Sequence, residues 1–366
     1  MLNILWVNHR DPKHPFAGGA EVRIHEIGKR LVQNGHSVSL ICERWPGSKN
    51  IEFIDGIEVR RVGSKYNIHL KVPFLIHKIG NYDVVIDDIA HAIPWESRFF
   101  TNKSVIGQVH HVHQEMLELE LNPLLAKIIA LSERTVRSYK LIITVCESTK
   151  NALIGLGVSR KTIKVIPNGV DTDFYKPGVK SASPTILWVG RVKRYKRVDH
   201  VLLAFSLIEK QLPNANLIIV GSGDYNYIEA LKNIAKKLGL SNVVFTGLVD
   251  ENKKAMLMAS SWVTVSSSLV EGWGLTITES AACGTPAVAY DVDGLRDSIR
   301  NNETGLLVID GNVKALAQAI LRVLQDEVLR VTLGTNALRW ATELSWDKVA
   351  KDFIAFLELN NNTCSI

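Results

Sequence analysis

Cysteine is scarce, with four in 366 residues. Cys42, Cys146, Cys283 and Cys364 stand far apart with no Cys-x-x-Cys pair, so the pattern suggests neither a zinc ribbon nor a disulfide framework, and a reducing compartment is expected. Uninterrupted apolar runs of about 18 residues are missing, so no membrane-spanning segment is expected. The start, Met1-Leu-Asn-Ile-Leu-Trp-Val-Asn8, carries no basic segment before its apolar run and no cleavage-like site, and reads as a buried first strand. Neither charge sign dominates: Lys plus Arg number 43 against 37 Asp plus Glu, a net charge of +6 with a pI near 9.0. That modest excess suits an anionic ligand, a membrane surface or nucleic acid equally well. No solenoid-length repeat and no low-complexity tract occurs.

What is present is a hydrophobic content of 46% on a length that implies about two ordinary domains, each able to bury a core. Short aliphatic runs alternate with longer amphipathic stretches, the pattern of a parallel sheet with crossover helices on both faces. In the first half, strands are expected over residues 3–8, 37–42, 58–62, 84–87, 104–109, 141–145 and 162–166, with a first helix over 20–34 ended by Gly35. A polar stretch rich in Gly, Pro and Ser reads as a linker. The pattern then restarts, with strands over 185–189, 216–220, 243–246, 262–266, 286–290 and 305–308 and helices over 197–211, 227–238 and 313–324. The expected boundaries are an N-terminal domain over 1–173, a linker over 174–184 and a C-terminal domain over 185–344. A Ser-capped helix over 345–359 follows, with Val349, Phe353, Ile354 and Leu357 on one face.

Residues 271–279 read Glu-Gly-Trp-Gly-Leu-Thr-Ile-Thr-Glu, a loop entering a helix. Glycines let backbone approach a ligand, helix-start amides carry partial positive charge suited to a diphosphate, and a carboxylate at each end can accept hydroxyls. An ordinary capped helix whose acids complement its dipole would look the same. Gly190-Arg191 follows a strand, and Lys196 lies five residues on: two cations placed to neutralise a departing diphosphate, or a solvated basic helix start. Gly18-Gly19 at the entry of the first helix could aim amides at an anion or form a plain tight turn. Gln108-Val-His-His-Val-His113 ends a strand, where ligands collect in open α/β sheets. Its histidines lie at no zinc-like spacing, and His111 and His113 fall on the face opposite His110. Gly221-Ser-Gly223 lacks the third glycine of a dinucleotide fingerprint, Asn226 standing in that place.

Taken in order, Gly18-Gly19, His110, Asn168-Gly-Val-Asp171, Gly190-Arg191, Lys196, Glu271 to Glu279 and Cys283-Gly-Thr-Pro286 resemble the retaining glycosyltransferases of the GT-B fold, family 4, the glycogen-synthase-like group 1. The resemblance spans nearly the whole chain. It implies two Rossmann-like domains facing across a cleft, the last helix crossing back, and transfer of a sugar from a UDP- or GDP-sugar to an acceptor hydroxyl with retained anomeric configuration, in glycan, glycolipid or polysaccharide synthesis. Arg191 and Lys196 would stabilise the leaving diphosphate, Glu271 would accept sugar hydroxyls, and His110 would orient a hydroxyl near the reacting centre, with His111 as the alternative. Gly18, Gly19, Gly272, Gly274, Leu275, Thr276 and Glu279 would bind the donor, Glu279 holding the ribose. Asp87 and Asp88 are adjacent rather than spaced as Asp-x-Asp, and no metal and no cofactor is expected. The chain departs from the family at Arg197, where Gly is usual, and at Gly294-Leu-Arg-Asp297, where relatives often have Gly-Gly-x-x-Glu. A nucleotide-sugar epimerase of the same fold and a non-catalytic nucleotide-sugar-binding protein remain the alternatives. The expected compartment is the cytoplasm, without a nucleic-acid partner. The acceptor is a glycan, a lipid-linked saccharide or a small molecule. Peripheral membrane contact is suggested by Lys127, Arg134 and Arg137 beside the apolar stripe of residues 124–137, although a core-packed helix has the same period.

Overall fold

A computed structural model of the chain describes residues 1–79, 81–114, 117 and 121–361. Cys364 lies outside them, and Cys42, Cys146 and Cys283 are buried and not bridged by disulfides. Contacts divide the chain into two compact units, one of residues 1–168 with 346–366 and the other of residues 169–345.

The first unit is built on β1 (Asn3–Val7), β2 (Ser37–Cys42), β3 (Ile51–Ile54), β4 (Ile57–Arg61), β5 (Val84–Ile89), β6 (Ser104–Val109), β7 (Leu141–Thr144) and β8 (Ile163–Val165). They form one sheet in the order β3-β4-β2-β1-β5-β6-β7-β8. All pairings are parallel except β3 with β4. The helices are α1 (Gly19–Gln33), α2 (Ile68–Ile79), α3 (Pro123–Glu133) and α4 (Glu147–Gly155). Residues 4–7 of β1 and 84–86 of β5 are continuous apolar runs, as expected of a parallel sheet covered on both faces. The last helix of the chain, Trp346–Asn361, belongs to this unit: Phe353 stacks on Trp6 of β1 with centroids 5.3 Å apart, and Val349 and Leu357 are buried beside it.

The second unit repeats the design with β9 (Thr185–Val189), β10 (Asn216–Val220), β11 (Val243–Gly247), β12 (Val263–Ser266), β13 (Ala287–Tyr290) and β14 (Gly305–Val308). The sheet order is β11-β10-β9-β12-β13-β14, parallel throughout. Its helices are α5 (Val198–Glu209), α6 (Tyr225–Lys237), α7 (Glu251–Ser260), α8 (Leu275–Ala282), α9 (Leu295–Ser298), α10 (Val313–Gln325) and α11 (Glu327–Glu343), and the final helix Trp346–Asn361 is α12. Trp188, Phe205, Leu217, Val263 and Tyr290 lie in one apolar cluster around this sheet.

In each sheet the chain builds outward from a central strand and then reverses: between β1 and β5 in the first unit, between β9 and β12 in the second. The carboxyl ends of the strands at such a reversal are the position at which open α/β sheets collect ligands.

Candidate active site

In the second unit both strands flanking the reversal deliver charge to it. β9 ends at Val189 and leads into exposed Arg191, then a single 3-10 turn, Arg194–Lys196. β12 ends at Ser266 and leads into Glu271. Lys196 Nζ donates to Glu271 Oε1, and Ser268 Oγ donates to the same oxygen at 2.6 Å. Burial disfavours the Lys196 ammonium, yet the Glu271 carboxylate outweighs it and raises the Lys196 pKa. The two loops are bolted together. Ser267 Oγ donates to the carbonyls of Lys196 (2.8 Å) and Arg197 (2.7 Å), and Arg197 Nε and Nη2 donate to the carbonyls of Ser267 and Ser268, each at 2.8 Å.

Arg197 occupies the family's glycine position with φ +48°, in the left-handed region. Its guanidinium over the Tyr290 ring, 4.8 Å from the centroid, and its bonds to 267 and 268 hold a conformation that otherwise favours glycine. Gly221 and Gly223 have a packing role. A Cβ at Gly221 would lie 1.8 Å from the Gly190 carbonyl oxygen, and one at Gly223 2.0 Å from that of Val192. The turn after β10 thus presses against the backbone that carries Arg191. Gly294 does the same for Glu271, whose carbonyl oxygen would lie 2.2 Å from a Cβ there, and the Glu271 amide donates to the Asp293 carbonyl at 3.1 Å.

Gly274 starts α8 in the left-handed region with φ +89°, and no side chain caps the helix. Leu275 and Thr276 form its first turn, half-buried like Gly272. One turn on, Glu279 is largely buried and 3.2 Å from Lys254 Nζ. Burial pushes the Glu279 carboxyl up, opposed by Lys254. Lys254 also pairs with Glu251 at 2.7 Å, and Tyr175 Oη donates to Glu251 at 2.7 Å. Lys254, Glu251 and Tyr175 went unnoticed in the sequence because nothing in their spacing links them to residue 279.

In the first unit, the reversal between β1 and β5 gathers Gly18, Gly19 and the end of β6. Gly18 precedes α1, and its amide donates to Glu21 Oε2 at 2.6 Å, so it is already engaged; Gly19 is exposed. Glu21 Oε1 accepts from Asn8 Nδ2 at 3.2 Å, tying the loop to the end of β1. His110 is buried, with Nε2 2.9 Å and 3.1 Å from the two Asp88 oxygens. Asp88 is held in turn by Gln108 Nε2, and Gln108 Oε1 accepts from Arg23 Nε at 3.3 Å. Arg23 is fully buried, which lowers its pKa to about 10, and donates to the carbonyls of Ile166 and Pro167 and to Asn168 Oδ1. Asp88 was visible only as half of a rejected Asp-Asp pair; its position at the carboxyl end of a buried strand was the usable signal. His113 is committed to Glu133 through its amide (2.7 Å) and Nδ1 (3.0 Å), and the His111 ring lies 4.0 Å from that of His113. Among the described residues no group of three His, Cys, Asp or Glu side chains is placed to hold a metal ion.

Two α/β units with cations and a carboxylate at a topological reversal, followed by a glycine-led helix, are the architecture of a GT-B glycosyltransferase. Comparison with known proteins agrees. The family Glycosyltransferase Family 4 matches residues 17–174, and Glycosyl transferases group 1 matches residues 170–340. The chain belongs to the group 1 glycosyltransferases of family 4. It is 27% identical to an uncharacterized glycosyltransferase of Methanocaldococcus jannaschii, over 93% of this chain and 94% of that protein. Its fold is similar to sucrose-phosphate synthase from Thermosynechococcus elongatus, with a TM-score of 0.85 at 21% identity, covering 99% of this chain and 100% of the other. It is also similar to Anabaena HepE, solved in complex with UDP-glucose, with a TM-score of 0.77 at 20% identity, covering 98% and 100%.

Proposed function

We propose that the protein transfers a hexosyl group from a nucleoside-diphosphate sugar, UDP- or GDP-linked, to an acceptor hydroxyl with retention of anomeric configuration and without a metal. The observation that carries the reading is the Lys196–Glu271 contact, placed beside Arg191 at the β9/β12 reversal and followed directly by the uncapped start of α8. The bond from the anomeric carbon to the diphosphate oxygen breaks, the acceptor oxygen bonds to that carbon on the same face, and the acceptor proton leaves with the diphosphate. Negative charge therefore grows on the leaving group, where preorganised cations and helix-start amides act most strongly. Arg191, Lys196 and the amides of Leu275 and Thr276 take that role. Glu271 accepts sugar hydroxyls, exchanging part of its bond to Lys196 for them. Gly272 and Gly274 allow close approach, and Glu279 accepts ribose hydroxyls. In the first unit, His110 orients a hydroxyl through Nδ1, since Nε2 faces Asp88, and Gly18 and Gly19 line the donor phosphates. HepE, bound to UDP-glucose, supports a UDP-sugar as the first donor to try. Retention is the stereochemistry that the resemblance implies. Proton NMR of the first-formed sugar from an α-linked donor, transferred or slowly hydrolysed, tests it: an α product is expected, and a β product overturns retention.

A further inference from the structure

Helix α7 carries Glu251 and Lys254 three residues apart, an ion pair at 2.7 Å. The Glu251 side chain is 67% exposed, and a pair of that kind on a helix surface contributes little by itself. Lys254 points elsewhere. Its side chain is largely enclosed, and Nζ reaches across to α8, 3.2 Å from Glu279 Oε2 and 5.3 Å from the centroid of the Tyr175 ring. Side chains at the end of α8 hold it against α7: Cys283 Sγ donates to the Ala255 carbonyl at 3.9 Å, and Thr285 Oγ1 donates to the Met258 carbonyl at 2.6 Å. Tyr175 is buried, and its hydroxyl donates to Glu251, the second carboxylate on Lys254.

We infer that Lys254 is a positioning residue of the donor site, acting through Glu279: it holds Oε2 of that carboxylate and leaves Oε1 to accept ribose hydroxyls. The inference rests on the reading of Glu279 as the ribose acceptor. Burial disfavours the Glu279 carboxylate, Lys254 opposes that, and Glu251 adds to it by repulsion of like charge. With Lys254 gone, burial and Glu251 would both drive Glu279 towards the neutral acid, in which one oxygen becomes a donor and the charge that strengthens an accepted hydrogen bond is lost. Removing one member of an enclosed ion pair leaves the other uncompensated. Glu251 competes for the same ammonium, so the three side chains set how firmly Glu279 is held.

Calorimetry with UDP or GDP, whichever binds, and with its 2′,3′-dideoxy analogue tests it. The unmodified chain should prefer the ribonucleotide by about tenfold or more, as expected for hydroxyls bonded to a charged acceptor. Lys254→Met should cut that preference to about threefold or less, with the dideoxy analogue bound as before. Lys254→Arg, which keeps the charge, should restore most of it, and Glu251→Gln, which removes the competing carboxylate, should leave it intact. A ratio of two affinities on one sample does not change when part of the protein is unfolded, so a variant that is only destabilised keeps the preference. Full preference in Lys254→Met overturns the inference. So does an equal loss of affinity for both nucleotides, which would make Lys254 a diphosphate contact or a packing residue. Glu279→Ala separates the two readings. If it keeps the preference, the ribose reading fails and this inference with it; if it loses the preference while Lys254→Met keeps it, this inference alone fails.

Discussion

Glu279 is a carboxylate whose burial raises its pKa, opposed by Lys254 at 3.2 Å. A buried acceptor of this kind gains when a ligand hydroxyl bonds to it. Glu279→Ala is expected to weaken nucleoside-diphosphate binding by roughly 1–3 kcal/mol, the range for removing one partner of a buried polar group. Calorimetry with the nucleotide alone measures it, and unchanged affinity removes Glu279 from the ribose role. In the proposed reaction Asp88 acts through His110, holding Nε2 and so leaving Nδ1 for a substrate hydroxyl. Asp88→Asn should lower kcat by at least about tenfold and move its pH profile, with KM little changed. A change in melting temperature alone, at unaltered kcat, would leave Asp88 a purely structural residue. The carboxylates at 271 and 279 were legible in the sequence because glycines and a helix start frame them. Lys196, the partner of 271, was legible too, but other contacts of the site were not: the Asp88 to His110 contact joins neighbouring strands, and residues 175, 251 and 254 meet 279 through tertiary packing alone.

Among the elements, nearly every parallel strand was readable, since a strand buried on both faces is a continuous apolar run bounded by polar turns. β3 was missed. It is an edge strand with Ile51 and Phe53 exposed, so no buried run marks it. Its signal was the turn: Asp55-Gly56, with φ values of +46° and +82°, is the two-residue Asp-Gly connection of a hairpin. The departures from the family at 197 and 294 are likewise explained by local geometry. Arg197 replaces the permissive glycine with a side chain that clamps residues 267 and 268, so Arg197→Gly should relieve strain yet loosen the Lys196–Glu271 pair, lowering kcat more than stability. Gly294→Ala combines φ +78° with a Cβ 2.2 Å from the Glu271 carbonyl oxygen and should cost about 2 kcal/mol or more in unfolding free energy while reducing turnover. Urea titration and initial rates on the same samples check both; a fully active, fully stable Gly294→Ala protein would contradict the packing argument.

Across the molecule, acid sensitivity is concentrated in one unit. His9, His14, His25, His36 and His69 all belong to the first unit, and each is held below 6.5, burial being the largest cause. His9 falls to about 2, with His91 and His69 adding to the effect. Such groups bind protons below about pH 6.5 only in the unfolded chain, so their contribution is fully present above that pH and is lost as pH falls. Asp87, raised to about 6 by burial, works in the opposite direction between its unfolded value of 3.8 and 6 and offsets part of the loss. Urea unfolding of the first unit should therefore weaken from about pH 7.5 to about pH 5.5, and His9→Gln should recover roughly 1 kcal/mol of that difference. A pH-independent midpoint would show the histidines to be open to water. The direction of this effect was not readable from the sequence, which shows histidines but not their burial.

The central claim is that cations at the β9/β12 reversal stabilise a departing nucleoside diphosphate. Steady-state release of nucleoside diphosphate from a panel of UDP-, GDP- and ADP-sugars, comparing the unmodified chain with Lys196→Ala and Arg191→Ala, tests it most directly. The expected result is consumption of one donor class and, for each variant, a kcat lower by about 10²-fold, because the lost stabilisation belongs to charge that develops in the transition state. Variants that raise only KM at unchanged kcat would make these residues anchors for the bound donor and contradict the account.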